Sequence, residues 1–275
     1  MRVSYHTHSN FCDGQCHMED YVKKALEYKF AAMGFSSHAP IPWVTDWTMK
    51  PENLSKYLQT AYELKDKYRN KIQLYTGLEI DYIQGVDVTV PEKIEYYISS
   101  VHYAYSGETG GYTPVDGPYE YVINNLEKYY KGDTYKYVKD YYTAVKEMIE
   151  VRKPMFVGHL DLIKKNNRNN ILFNETENRY IFEIESVLDV IKKYGCTVEI
   201  NTGGMSRKYT DSSYPSCWII KMMKEMDIPI VLNSDAHKPE WLNTEYDLYV
   251  KLLREIGYKK QKVLYDGIMQ DVEID

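Results

Sequence analysis

No stretch of this 275-residue chain approaches the 18 or so consecutive apolar residues of a membrane helix, so nothing in it reads as a span. Positive charge is not in excess either. With 34 Lys and Arg against 40 Asp and Glu, the net charge is −6, and a nucleic-acid partner would want a basic face to displace counterions. Cysteine is scarce: Cys12, Cys16, Cys196 and Cys217 form no C-x-x-C pair. Cys12 and Cys16 make a C-x-x-x-C beside a histidine pair, yet the set reads as free thiols of a reducing cytoplasm rather than a zinc or redox site. Phenylalanine is low at 6 against 29 tyrosines, and the tyrosines read as half-buried helix and strand positions. The N-terminus opens into a strand, with no charged-then-apolar leader. Oligomeric state is left open.

What is present is a repeated strand-then-helix pattern. Short apolar runs lie at 3–5, 31–35, 72–76, 97–101, 155–157, 197–200 and 228–232. Amphipathic stretches lie between them, at 18–28, 52–68, 135–151, 177–194, 216–226 and 244–256. Pro51-Glu52, Pro91-Glu92 and Asn243-Thr244 read as helix starts. About seven such units predict an α/β fold with a closed or nearly closed barrel of parallel strands, as one domain over 1–275. Between His102 and His159 the chain is long enough for a helix and additional loop, marked by Ser106-Gly107-Glu108-Thr109-Gly110-Gly111 and Asp116-Gly117-Pro118. In a barrel, a loop there lies over the catalytic mouth and sets specificity.

Six of the seven histidines stand where an apolar run meets polar residues. His6 and His8 are two apart and share a strand face, as do Asp235 and His237. Asp13, His38, Glu79, His102 and His159 complete a set of nine. A barrel is what brings such distant strand ends together. Imidazoles and carboxylates without thiolate suit catalytic Zn, Mn or Fe rather than a structural zinc. Nine groups are too many for one ion. Two or three ions, bridged by a carboxylate such as Glu79, would use them and would suit attack on a phosphoryl group.

The ordered motifs His6-Thr7-His8-Ser9 with Asp13-Gly14, Ser37-His38, Gly77-Leu78-Glu79, Ser100-Val101-His102, Gly158-His159 and Ser234-Asp235-Ala236-His237 resemble the PHP (polymerase and histidinol phosphatase) family over nearly the whole chain. The resemblance implies a distorted (β/α)7 TIM-like barrel holding three divalent ions (Zn, Mn or Fe) at its C-terminal face. His6, His8, Glu79 and Asp235 would hold the first, Glu79, His102 and His159 the second, and Asp13, His38 and His237 the third. Glu79, Asp235 and His237 would stand nearest the chemistry as the catalytic set. The chain departs from the commoner pattern at Cys12, where Ser is frequent, and at Asp13, where some members carry His.

Within the family, Gly158-His159-Leu160-Asp161-Leu162-Ile163-Lys164-Lys165 and Glu199-Ile200-Asn201-Thr202-Gly203-Gly204 with Arg207 resemble the histidinol-phosphate phosphatase branch, as does the lack of a polymerase-sized extension. That branch implies hydrolysis of L-histidinol phosphate to L-histidinol and phosphate in histidine biosynthesis, by a bridging hydroxide. No Asp or Cys nucleophile motif calls for a phosphoenzyme. Arg207 is the expected phosphate anchor, with Lys164 and Lys165 as further cations and His17 as a proton donor or phosphate contact. Asp161 is expected to back His159. Glu108, Asp116, Glu120, Tyr105 and Tyr112 of the long loop are candidates for the far end of the substrate. A nuclease or phosphodiesterase on the same scaffold, a metal-dependent amidohydrolase and a non-enzymatic metal binder are the other classes considered.

Overall fold

The computed structural model describes residues 1–274. The first units are β1 (Val3–Ser4), α1 (Met18–Glu27), β2 (Ala32–Phe35), α2 (Leu54–Tyr68), β3 (Gln73–Asp81) and β4 (Tyr96–Ser100). Between His102 and His159 come β5 (Tyr103–Ser106), β6 (Gly111–Pro114), α3 (Tyr119–Tyr130) and α4 (Thr134–Arg152). The chain continues with β7 (Phe156–Val157), α5 (Asn178–Tyr194), β8 (Thr197–Asn201), α6 (Gly203–Ser206), α7 (Cys217–Glu225), β9 (Ile230–Asn233) and α8 (Tyr246–Ile256). It ends with β10 (Lys260–Tyr265) and β11 (Ile268–Glu273).

Seven parallel strands pair in the order β1-β2-β3-β4-β7-β8-β9. Every residue of β2, β8 and β9 is buried, as expected of strands covered on both faces. Helices lie outside: α1 buries Met18, Tyr21, Val22 and Ala25 at helical spacing and leaves Lys23 and Glu27 to solvent. The sheet closes beyond the strand ends, where Thr7 bridges Ala236 in parallel and the His8 amide donates to the Ala236 carbonyl at 3.0 Å. The result is a nearly closed, distorted (β/α)7 barrel.

Strand alternation breaks just after β1. Tyr5 packs on Phe156 and Tyr96, while its neighbour His6 reaches Glu79 and Glu199, so adjacent residues both contact interior groups. Below the polar mouth lies an aromatic layer of Tyr5, Tyr75, Tyr96 and Phe156, in one cluster with Val263 and Leu264 of the β10–β11 hairpin. Tyr5 Oη donates to the Leu264 carbonyl at 2.7 Å, so the hairpin plugs this end. Tyr96 Oη donates to the Tyr5 carbonyl at 2.5 Å, and a Cβ at Gly77 would meet its ring at 2.4 Å. Gly77→Ala should therefore destabilise the fold by roughly 1–3 kcal/mol through overpacking, read as a lower Tm. An unchanged melting curve would show that the ring has room to move.

Many tyrosines are wholly buried rather than half-buried: Tyr5, Tyr57, Tyr137, Tyr142 and Tyr180 are at 0 % exposure. Several spend their hydroxyls on main-chain carbonyls, as Tyr57 does on Gly77 at 2.6 Å. Two expectations about elements are corrected. Pro91-Glu92 starts no helix; residues 90–95 are irregular and run directly into β4, with no apolar helical repeat after the proline. The long segment after His102 is also more ordered than loop, with a hairpin and α3 before the expected helix.

Candidate metal centre

All nine expected side chains meet at the C-terminal ends of the strands, with Glu79 at their centre. Glu79 Oε2 lies 3.1 Å from His6 Nε2, 3.4 Å from His8 Nε2 and 3.1 Å from His38 Nδ1. Its other oxygen lies 2.9 Å from His159 Nε2 and 3.7 Å from His102 Nε2. The two oxygens thus face two different groups of imidazoles. Asp235 Oδ1 is 3.1 Å from His8 Nε2, 3.6 Å from His6 Nε2 and 3.5 Å from His237 Nδ1. Asp13 reaches in from the first loop, 3.1 Å from His237 Nε2 and 3.9 Å from His38 Nε2. It is the most exposed of the set, at 31 % for its side chain, while the other eight are buried.

The local backbone is arranged for this. Asp235 takes a left-handed φ of 48°, a conformation that Asp tolerates better than most side chains. It packs against Gly203, where a Cβ would come within 2.7 Å of its Oδ2. Such a position is strained, and strain of this kind collects at functional sites.

The donor set fits metal ions. Three groups have ligand atoms within 4.8 Å of one another: His8, Asp13, His38 and His237; His6, His8 and Asp235; and His38, Glu79 and His102. His8 Nε2, His38 Nδ1 and Asp13 Oδ1 are buried and lack a hydrogen-bond partner in the protein, a costly state that a cation would relieve. Burial pushes His38 down to about 3, against the opposing pull of Glu79. Burial opposes the charge on Glu79, but His38 and His6 outweigh it and hold the carboxyl well below its usual range. Burial also works against the His102 imidazolium, yet Asp81, whose Oδ1 is 2.5 Å from His102 Nδ1, lifts it to about 10.

Above the centre lies a cavity of about 710 Å³. Arg207 lines it, with Nη2 donating to Asp235 Oδ2 at 2.8 Å and Nη1 2.8 Å from His237 Nδ1. Lys165 lines it as well, stacked over Tyr209 and 3.5 Å from Asp116 Oδ2. Lys164 does not. Its Nζ turns inward to the Ser213 carbonyl at 2.7 Å, Ser216 Oγ at 2.6 Å and Asp161 Oδ2 at 3.0 Å, so it pins the loops as a structural cation. His17 is also elsewhere: it precedes α1, contacts Asn10 at 2.9 Å and lines a separate cleft beside α2. Asp161 binds Ser216 and Lys164 rather than the His159 ring.

Of the five candidates on the long loop, Asp116 lines the cavity. Glu108 pairs with Lys136, and Tyr105 packs on Tyr112. Sequence reasoning passed over Asp46 and Trp47 on the loop after β2. Trp47 packs edge-on against His38 at 4.7 Å, in a stretch with tryptophan and acid side by side that could have flagged it. Asp81 had a signal too, two residues after Glu79 on the same strand face.

A parallel barrel that gathers imidazoles and carboxylates around one buried glutamate, with an arginine beside them, is the architecture of a metal-dependent hydrolase. The chain belongs to the PHP domain family, whose model matches residues 4–203. The histidinol-phosphatase of Bacillus subtilis is 26% identical over 269 residues, covering 90% of this chain and 97% of the relative. A structure from Listeria monocytogenes superposes with a TM-score of 0.80 at 23% identity, over 90% of this chain and all of that one. The histidinol phosphate phosphatase of Lactococcus lactis, solved with zinc, L-histidinol and phosphate, superposes with a TM-score of 0.69 at 18% identity over 98% of both chains. These two structures share the fold.

Proposed function

We propose that this chain is a metal-dependent phosphomonoesterase that hydrolyses L-histidinol phosphate to L-histidinol and phosphate in histidine biosynthesis. The observation that carries the reading is the placement of Glu79, with each oxygen against its own set of imidazoles under a cavity lined by Arg207. The Bacillus relative, aligned along nine-tenths of the chain, supports the substrate. The reading takes residues 1–275 as one metallophosphatase domain working in the cytoplasm, a setting that suits four unpaired cysteines.

The reading includes three divalent ions, zinc foremost and Mn or Fe as alternatives. Glu79 would be shared between one held with His6, His8 and Asp235 and one held with His102 and His159, while Asp13, His38 and His237 would hold the third. Bound there, such ions supply an activated water and neutralise phosphoryl charge. Asp81 and Glu199 fix the tautomers of His102 and His6, since a carboxylate only accepts and each Nδ1 must therefore carry the proton. Arg207, tied to Asp235 and His237 at the cavity wall, would bring a guanidinium to the phosphate, and Lys165 would add charge from the same cavity. Asp116 and Asp46 stand on the rim with Trp47 and Tyr103, an acidic and aromatic wall suited to the ammonium and imidazole of histidinol. That wall disfavours a polyanionic diester, which argues against a nuclease.

Arg207→Ala should lower kcat/KM on a phosphomonoester by roughly 10²-fold, the scale of about 3 kcal/mol for a lost charge-assisted contact, with metal content retained. Wild-type kinetics in this variant would move the phosphate anchor elsewhere, with Lys165 next to be replaced. The substrate reading is tested by phosphate release from a panel. Histidinol phosphate should exceed simple alkyl phosphates by at least about 10²-fold in kcat/KM. Asp116→Asn should erode that preference, with p-nitrophenyl phosphate as the internal reference. Equal rates across the panel, or preference for DNA diesters, would overturn the substrate while leaving a metallophosphoesterase.

A further inference from the structure

Glu199 is wholly buried, and each contact to its carboxylate comes from a donor. Oε2 takes His6 Nδ1 at 2.8 Å and Asn233 Nδ2 at 2.9 Å. Oε1 takes the His159 backbone amide at 2.7 Å and Asn201 Nδ2 at 2.8 Å. The same Asn201 amide lies 3.3 Å from Asp235 Oδ2, and Asn233 Oδ1 accepts from the Tyr5 amide at 2.8 Å. One side chain on β8 therefore ties the ends of β1, β7 and β9 together beneath the cavity. Its reach is one-sided. None of its hydrogen bonds goes to Asp13, His38 or His237.

We infer that Glu199 is a positioning residue that builds the part of the metal centre formed by His6, His159 and Asp235, and leaves the Asp13, His38 and His237 part independent of it. The inference rests on the metal reading above. Four donors converge on two oxygens, so the site requires a carboxylate: glutamine would set its own N–H groups against donors already there. Because the carboxylate can only accept, the His6 proton stays on Nδ1 and Nε2 faces Glu79 with a free lone pair. Outer contacts of this kind are worth about 10–100-fold in metal affinity.

The experiment is zinc titration of the metal-stripped full chain against a chromophoric chelator, for wild type and Glu199→Gln. Wild type should fill all its sites. The variant should keep one tight zinc per chain and bind the remainder about 10–100-fold more weakly. The visible spectrum of the cobalt-loaded protein should likewise retain one component and lose the rest. A merely structural role would lower the Tm of stripped and loaded protein alike without separating the sites. Should Glu199→Gln fail to fold, Asn233→Ala carries the test, because it strips a donor from the oxygen that holds His6. It should weaken the same subset of sites about threefold or more. Wild-type zinc binding with unchanged affinity in a folded variant overturns the role of Glu199 alone. A wild-type chain that takes up no zinc overturns the metal reading together with it.

Discussion

Replacing Glu79 by alanine should lower turnover by about 10³-fold or more in kcat, equivalent to about 4 kcal/mol of lost transition-state stabilisation. The reason is geometric. Glu79 touches His6, His8 and His38 through one oxygen and His159 and His102 through the other, so a single truncation unbalances five imidazoles at once. It also removes negative charge from a place where His8 Nε2 and His38 Nδ1 already lack a hydrogen bond, and leaves a buried hole that a methyl group cannot fill. Metal content should fall with activity, to about one equivalent per chain, because two of the three proposed sites share this carboxylate. The checks are metal analysis of the purified variant and single-turnover phosphate release. Glu79→Ala with full metal content and kcat within tenfold of wild type would remove Glu79 from the centre.

Stripping the metals should have an effect of similar size. Dialysis against a strong chelator should take phosphatase activity below about 1% of its starting value, and zinc should restore it. Stability should follow, since a ligand present at about 1,000 times its Kd stabilises the folded state by about 4 kcal/mol. The physical basis is the crowding of Glu79, Asp235 and Asp13 among imidazoles, where protons must offset charge that cations otherwise neutralise. Full activity after exhaustive chelation would refute the metal-dependent reading.

The seven strands and the positions of the nine convergent groups could be read from the chain because both depend on local pattern. Buried parallel strands are short apolar runs, and the mouth residues follow them directly, as His102 follows β4 and His159 follows β7. Where the reading failed, direction in space decided. Lys164 and Lys165 are neighbours after the same strand, yet one turns into the protein and the other lines the cavity. His17 is near His8 in sequence and still sits beside another cleft, because the turn at 10–16 carries the chain away. The terminal hairpin carries a local signal of its own. Asp266-Gly267 takes φ of 51° and 75°, the positive pair that a tight hairpin turn demands and that Asp-Gly favours.

The closure of the barrel has a consequence for synthesis. The seam joins residues far apart in the chain: the Ser234 amide donates to Ser4 Oγ, 230 positions away. Contacts of such separation form late and slowly. A nascent chain emerges with His6 and His8 already made, while Asp235 and His237 are still to be translated. The plug from β10 and β11 follows later still. Metal capture at full strength therefore waits for nearly the whole polypeptide, and until then the first strand presents an unpaired edge. Protecting that edge falls to the partly folded chain itself or to a chaperone.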